Sequence, residues 1–365
     1  MKRIGMLGVL CAAALMMQGC ATSAQGAPVP TTTPTGAQLQ AEDVAWPSDK
    51  LKTNENGVPT FSVYVVDDKK VENVDVESYV EGVLAGEMKN DWPLEALKAQ
   101  AILARTFVLK FVDEKKSQYE GADISTDIEE AQAYDASAVN DRIKQAVAET
   151  KGLVLSANGE LPYAWFHAHS GGMTELAKAG LGWDKDEPPY TQVVESNEPE
   201  TVQNEKDAQT LKDAQTWEAT FSAAEFAAAC EKQGVSVDLG NGAQLTVDER
   251  GESGRAVTIS VNGKPVKATE LRIALGSTKM RSTLITSLRV ENGKVMIAGK
   301  GYGHGVGMSQ WGAYSMADLG YTEEVVESKQ VNTDGRNDQR YRLSLNGWDD
   351  GAKIRIHINL EIIDF

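Results

Sequence analysis

Apolar and polar positions alternate with different rhythms along the chain, and each rhythm predicts an element. Residues 1–20 hold one apolar run, Ile4 to Met17, between Lys2 and Arg3 on one side and Gln18-Gly19-Cys20 on the other. The run is too short for an ordinary bilayer span, so it predicts an export signal. Residues 21–57 are rich in Thr, Pro, Ala and Gln without period, which predicts a flexible tether of about 35 Å mean reach. A β-rich run begins at Thr60-Phe61-Ser62-Val63-Tyr64 and marks the start of the folded chain.

Two helical stripes follow. Val76, Tyr79, Val80, Val83, Leu84 and Met88 share one face of a helix over 76–90. Pro93 suits the start of an Ala-rich helix over 94–111, whose stripe runs through Leu97, Ala101, Ala104, Val108 and Phe111. Residues 121–135 read as a loop, 141–150 as a short helix, and 152–155 and 163–169 as strands. The stretch 195–216 is polar without rhythm and reads as an insertion or linker. Residues 221–232 read as an amphipathic helix, and strands are expected at 244–247, at 256–261 before an Asn262-Gly263 turn, and over 286–297. Ser309 to Leu319 predicts a helix ended by Gly320. The fold class is therefore α+β, a mixed helical and β core over 58–325 carrying a smaller inserted α+β subdomain over 196–275. Residues 341–345 and 353–363 alternate around Asn-Gly-Trp-Asp-Asp-Gly, which predicts a β-hairpin in an appended segment, 326–365.

The 365 residues are 41% hydrophobic and 24% charged, which excludes disordered, collagen-like and coiled-coil chains. Thirty-six Lys and Arg stand against 53 Asp and Glu, a formal charge of -17 that opposes phosphate contacts, so no nucleic-acid partner is expected. Cysteines occur at 11, 20 and 230; Cys11 falls in the export signal, and Cys230 in Phe-Ala-Ala-Ala-Cys reads as a buried thiol.

Chemistry is expected where the pattern breaks. Glu87 falls at the centre of the first helix's apolar stripe, where burial would raise its carboxyl pKa as a general acid requires; a structural glutamate in a buried ion pair would also fit. Glu77 lies toward the stripe's edge and Glu81 further round, and both are expected in solvent. Arg105 sits on the second helix's stripe, flanked by Gln100, and must find carboxylate or carbonyl partners, a structural supporting role. His167 and His169 share one face of a strand and are weak metal candidates, with no HExxH or CxxC beside them. Ser170-Gly171-Gly172 lacks a GxSxG elbow and reads instead as a tight loop presenting backbone N–H groups to a ligand. Glycine at every second position from 301 to 307 implies close backbone approach around His304, at a ligand or in a packed turn.

Residues 77–88 (Glu-Ser-Tyr-Val-Glu-Gly-Val-Leu-Ala-Gly-Glu-Met), 92–107, 170–175 (Ser-Gly-Gly-Met-Thr-Glu) and 303–310 (Gly-His-Gly-Val-Gly-Met-Ser-Gln), with Ser253-Gly254-Arg255 and Leu275-Gly276-Ser277, together resemble the SpoIID/LytB family, the stage II sporulation protein D and amidase-enhancer group. The resemblance implies an exported enzyme acting on peptidoglycan, a lytic transglycosylase in catalytic members, with the glutamate of Gly-Glu-Met, here Glu87, as acid/base. The alternative it carries is a non-catalytic enhancer of a cell-wall amidase. Gln100, Ser170, Gly171, Gly172, His304, Ser309 and Gln310 then become substrate-binding candidates, and Trp92, Tyr302 and Trp311 either stack on sugars or fill the core. The Met-Gln-Gly-Cys ending resembles a lipoprotein box, which implies lipidation of Cys20 and anchoring at the outer face of a bacterial membrane. Some relatives bind zinc through histidine and cysteines; Ser170 and the single thiol left at Cys230 depart from that pattern, so no cofactor is expected.

Overall fold

The computed structural model describes residues 52–320, apart from 156, 158, 159 and 241, together with the backbone of two C-terminal strands. The calls on 1–20 and on all but the end of 21–57 lie outside the described residues.

The fold is α+β. Its first sheet is an antiparallel ribbon of β1 (Lys52–Thr53), β2 (Pro59–Val65) and β3 (Lys70–Asp75), in which Phe61 and Val63 turn inward on alternate positions. Asp75 ends β3 and caps α1 (Val76–Glu87), its carboxylate accepting from the N–H groups of Glu77 and Ser78, both at 3.1 Å. The predicted stripe of α1 is buried from Val76 to Leu84. After a short turn, α2 (Leu94–Glu114) opens on the Pro93 carbonyl and is buried almost all round as the central rod. β4 (Ile124–Ser125) pairs parallel with β2, and α3 (Asp141–Glu149), capped by Asn140, packs on α1 and α2.

Next come β5 (Phe166–His167), α4 (Ala177–Leu181), α5 (Glu205–Gln215), β6 (Thr216–Ser222) and α6 (Ala223–Glu231). β7 (Leu245–Arg250), β8 (Ala256–Val261) and β9 (Lys264–Lys267) form one antiparallel sheet, followed by α7 (Ala268–Leu275). β10 (Ile285–Glu291) and β11 (Lys294–Lys300) join β6 in another. Asn262-Gly263 and Asn292-Gly293 turn the two hairpins with both residues at positive φ, as a two-residue primed turn requires. β12 (Met308–Ser309) pairs parallel with β5 and leads into α8 (Gln310–Asp318), which packs on α2. β13 (Leu345–Asp349) and β14 (Ala352–Ile356) complete the described chain.

Among the described residues the apolar side chains gather in two cores. One joins β2, α1, α2, α3 and α8; the other joins β6, α6, β8, α7, β10 and β11, between Trp217 and Ile297.

Several elements differ from expectation. The stretch 195–216 contains α5, which buries only Leu211, Ala214 and the Asp207 side chain, too narrow a stripe to show as a period. Phe221 belongs to β6, whose inward face buries Trp217 and Phe221, and the helix starts two residues later behind a Ser222–Glu225 capping box. The strand expected over 163–169 is regular only at Phe166–His167, and 152–155 forms no regular strand. In the C-terminal hairpin Asn346-Gly347 lies within β13, not in the turn.

Candidate functional site

Glu87 is the last residue of α1, and its surroundings follow from two glycines earlier in that helix. A Cβ on Gly82 would lie 2.2 Å from the Tyr134 ring, and one on Gly86 2.7 Å from the Tyr134 nitrogen. Segment 131–135 can therefore cross directly over α1. Asp135 N–H donates to the Gly82 carbonyl at 2.9 Å, and Ala133 N–H donates to Glu87 Oε1 at 2.7 Å. Burial pushes the Glu87 carboxyl up to about 7, outweighing the downward pull of the Ala133 and Gln310 hydrogen bonds. The carboxyl is nonetheless not sealed in. It borders an open groove of about 550 Å³ shared with Met88, Lys89, Asn90, Asp91 and Lys206.

No cation pairs with Glu87 among the described residues. Lys89 is turned to Asp207, at 2.6 Å. Arg105, fully buried, forks onto Glu77 instead, with Nη2 to Oε2 at 2.6 Å and Nε to Oε1 at 3.2 Å, while Nη1 donates to the Leu153 carbonyl at 2.9 Å. This corrects the expectation of a solvated Glu77: its position in the first turn of α1 faces α2, so it meets the guanidinium and the Gly152 N–H. Glu81 is half-buried.

The glycine-rich stretch lies against 165–172. Gly301, Gly303, Gly305 and Gly307 all have positive φ. At Gly305 a Cβ would sit 2.2 Å from the Arg255 guanidinium carbon, and at Gly307 2.0 Å from the Trp165 carbonyl oxygen, so nothing larger fits at either. His304 is turned inward: its Nδ1 accepts from Val306 N–H at 3.0 Å and its ring stands 5.8 Å from that of His167. His167 Nδ1 donates to the Val306 carbonyl at 3.1 Å. Burial holds His167, His169 and His304 below the ordinary imidazole pKa, His304 down to about 3, so all three are neutral at pH 7. No group of three or more metal-ligating side chains occurs among the described residues.

A carboxylate that the sequence did not single out organises this cluster. Glu198, in the stretch read as a linker, has its side chain only 4% exposed. It accepts from Ser170 N–H, from Gly172 N–H at 3.1 Å and from the Ser309 hydroxyl at 2.5 Å, and lies 3.0 Å from His169 Nδ1. Gly171 N–H donates to His169 Nδ1 at 3.0 Å. The N–H groups expected to await a ligand are thus already taken, and Ser170 itself is buried, its hydroxyl accepting from Gly172 N–H at 3.0 Å. The one available clue was the need of those N–H groups for an acceptor.

Ser309 also caps α8, accepting from Gly312 N–H at 3.2 Å. The next side chain points the other way: Gln310 Nε2 reaches the Glu87 carbonyl at 3.3 Å and lies 3.5 Å from Gln100 Oε1, so Gln100, Gln310 and Glu87 do come together. Buried Arg255 braces the far side, donating to the carbonyls of Met173 (2.9 Å) and Ser170. Glu175 accepts from the Ser253 hydroxyl at 2.7 Å, and its own N–H donates to the Gly305 carbonyl at 2.8 Å. Trp92 and Trp311 are core residues, their rings 4.5 Å apart, and so are unavailable for stacking on a sugar; Tyr302 is half-buried beneath Arg281. Cys230 is buried in the second core, where desolvation lifts its thiol to about 11.

The family model for stage II sporulation protein, SpoIID, matches residues 66–156, which include Glu87, Gln100, Arg105 and Ala133. A domain of unknown function matches 177–307, which includes Glu198, Arg255 and His304. Stage II sporulation protein D of Bacillus subtilis is 32% identical over 307 residues, 79% of this chain and 82% of that protein. An uncharacterized protein of Brachyspira hyodysenteriae is 30% identical over 253 residues, 68% of this chain and 63% of its own length. The amidase enhancer of B. subtilis is 28% identical over 277 residues, 66% of this chain and 38% of the enhancer.

Proposed function

Because the chain belongs to the SpoIID family of stage II sporulation proteins, we propose that it acts on peptidoglycan as a lytic transglycosylase with Glu87 as its single acid/base. The observation that carries this reading is a carboxyl with its pKa lifted to about 7, bordering an open groove and free of any paired cation among the described residues. Near neutral pH such a group is part protonated, the condition for giving and then retaking a proton.

In the reaction, Glu87 protonates the oxygen linking N-acetylmuramic acid to N-acetylglucosamine, and the bond from that oxygen to the muramyl C1 breaks. The carboxylate then takes the proton of the muramyl C6 hydroxyl as its oxygen bonds to C1, closing a 1,6-anhydro ring. No water is consumed and the glutamic acid is regenerated. One carboxyl suffices, unlike the pair that glycoside hydrolysis uses. Ala133 N–H fixes Oε1, and buried Gln310, beside Gln100, holds the Glu87 carbonyl from behind. Ser170, Gly171, Gly172, His304 and Ser309 serve as the frame, because their polar groups are satisfied within the protein. Export and lipidation at Cys20 would set the enzyme beside the wall.

Mass spectrometry of products from purified peptidoglycan tests the reading. Anhydro-muramyl ends that vanish with Glu87→Gln are expected; undiminished release by that variant overturns it. The similarity to an amidase enhancer supports a second reading, a non-catalytic partner of a wall amidase, which requires glycan binding without cleavage.

A further inference from the structure

A second concavity, of about 550 Å³, is separate from the groove at Glu87 in the residues that form it. Its wall is aromatic. Tyr163 and Trp165 stack with centroids 5.1 Å apart and planes 13° off parallel, while Trp183 stands edge-on to both, at 4.9 Å and 5.2 Å. The tryptophans are half-buried and belong to neither core. The polar edges of two rings are committed, Tyr163 Oη donating to Glu114 at 2.6 Å and Trp183 Nε1 to the Asp186 carbonyl at 3.0 Å, while the Trp165 backbone is held by Met308 N–H donating to its carbonyl at 3.1 Å. The wall a ligand would meet is predominantly aromatic ring surface, with lysine ammonium groups over the Tyr163 and Trp183 rings.

Cations rim that surface. Lys110 Nζ lies 5.0 Å from the Tyr163 centroid and 2.8 Å from Glu114, and Lys185 Nζ lies 5.2 Å from the Trp183 centroid. Lys115 lies 5.5 Å from the Phe111 centroid. Neither Lys115 nor Lys185 makes an ion pair among the described residues. Asp113 and Glu114 line the cavity too, but Glu114 is held by Lys110 and the Tyr163 hydroxyl, so in a chain of net charge -17 three lysines against two acids give this rim a local positive excess that disfavours a cationic ligand such as a quaternary ammonium. The volume falls within the range of about 300–1,000 Å³ usual for small-ligand sites. Flat C–H faces of sugar rings match the aromatic wall, and carboxylates on those sugars match the lysines.

We propose that this cavity is a second glycan subsite, taking an anionic, carboxylate-bearing sugar of the same strand that the Glu87 groove holds. The inference rests on the peptidoglycan reading above. Tyr163 to Trp165 of the wall lead directly into β5, which pairs with β12 immediately before Gln310, so both sites hang on one stretch of backbone.

The test is titration of the full chain, in a Glu87→Gln background, with peptide-free glycan tetrasaccharides followed by tryptophan fluorescence. Uncharged chitotetraose serves as the control ligand. Trp183→Ala is expected to weaken tetrasaccharide binding about tenfold. Lys185→Glu, which leaves the ring in place, is expected to weaken binding of the anionic tetrasaccharide but not of chitotetraose. With Glu87 intact, both variants should raise the glycan concentration needed for half-maximal cleavage. Unchanged affinities in both variants overturn the subsite while leaving the Glu87 reading standing. A wild-type chain that neither binds nor cleaves glycan overturns both. Loss of binding to phosphatidylglycerol vesicles with glycan binding intact overturns the subsite in favour of a membrane-facing surface.

Discussion

Gln310 Nε2 donates to the carbonyl oxygen of Glu87 at 3.3 Å across 223 positions of sequence, and this bond ties the start of α8 to the end of α1. Gln310 also pulls the Glu87 carboxyl down, in opposition to burial. Replacing it with leucine removes that pull, so the Glu87 pKa rises further. The alkaline limb of the pH–rate profile for glycan cleavage should then move to higher pH. A limb that stays in place or moves to lower pH contradicts the assignment.

The wild-type profile itself is fixed in sign by the raised pKa of Glu87. In the proposed reaction protonated Glu87 is the starting form, so cleavage should fall as pH rises through about 7. Asp91, the other carboxylate bordering the groove, is not needed by a one-carboxyl mechanism. Asp91→Asn should therefore keep most of the rate; a loss as large as that of Glu87→Gln would point to a hydrolytic pair instead.

Stability follows the same group. A folded-state pKa above the ordinary carboxyl value makes the Glu87 contribution most favourable below pH 4.5, and that contribution is lost as pH rises to about 7. Glu87→Gln does not titrate, so its stability relative to wild type should grow across that interval and level off above it. Urea melts at pH 4, 6 and 8 give the comparison, and a difference independent of pH would contradict it.

Arg105 and Glu77 form a buried pair whose partners cannot be removed singly without leaving a charge stranded. Arg105→Met or Glu77→Leu alone should cost about 3–5 kcal/mol in denaturant unfolding, whereas the double substitution should recover much of that loss. Strict additivity of the two would mean that the ion pair is not the relevant interaction.

Glu198 gathers Ser170 N–H, Gly172 N–H and the Ser309 hydroxyl. Glu198→Ala leaves these donors buried without an acceptor, an expected loss of about 3 kcal/mol. Amide exchange should accelerate at 170–172 and 309–312. Protection unchanged from wild type in those segments would remove Glu198 from its organising place.

What the sequence made legible was local. The stripe of α1 marks Glu87 as misplaced for a hydrophobe, the stripe of α2 does the same for Arg105, and Asn262-Gly263 announces its own turn. Residues whose meaning depends on a distant partner were not legible. Glu77 counts as surface until α2 brings Arg105 against it, and Glu198 sits in a stretch without period because its partners lie around 170 and 309. Trp92 and Trp311 pack against each other with planes tilted by 54°, a pairing no spacing records, whereas Trp165 comes from a segment read as an ordinary strand and Trp183 from one to which no element was assigned.

Gly86 carries a consequence beyond packing. A methyl group there would meet Tyr134 N and the Ala133 carbonyl carbon and oxygen at 2.7–2.9 Å, and pushing that peptide away would draw off the Ala133 N–H, one peptide earlier, that donates to Glu87. That N–H favours the ionised carboxylate, so its withdrawal would raise the proton affinity of Glu87 further. The proton affinity of the Glu87 carboxyl is therefore sensitive to one carbon atom at the neighbouring residue, with the carboxyl itself untouched.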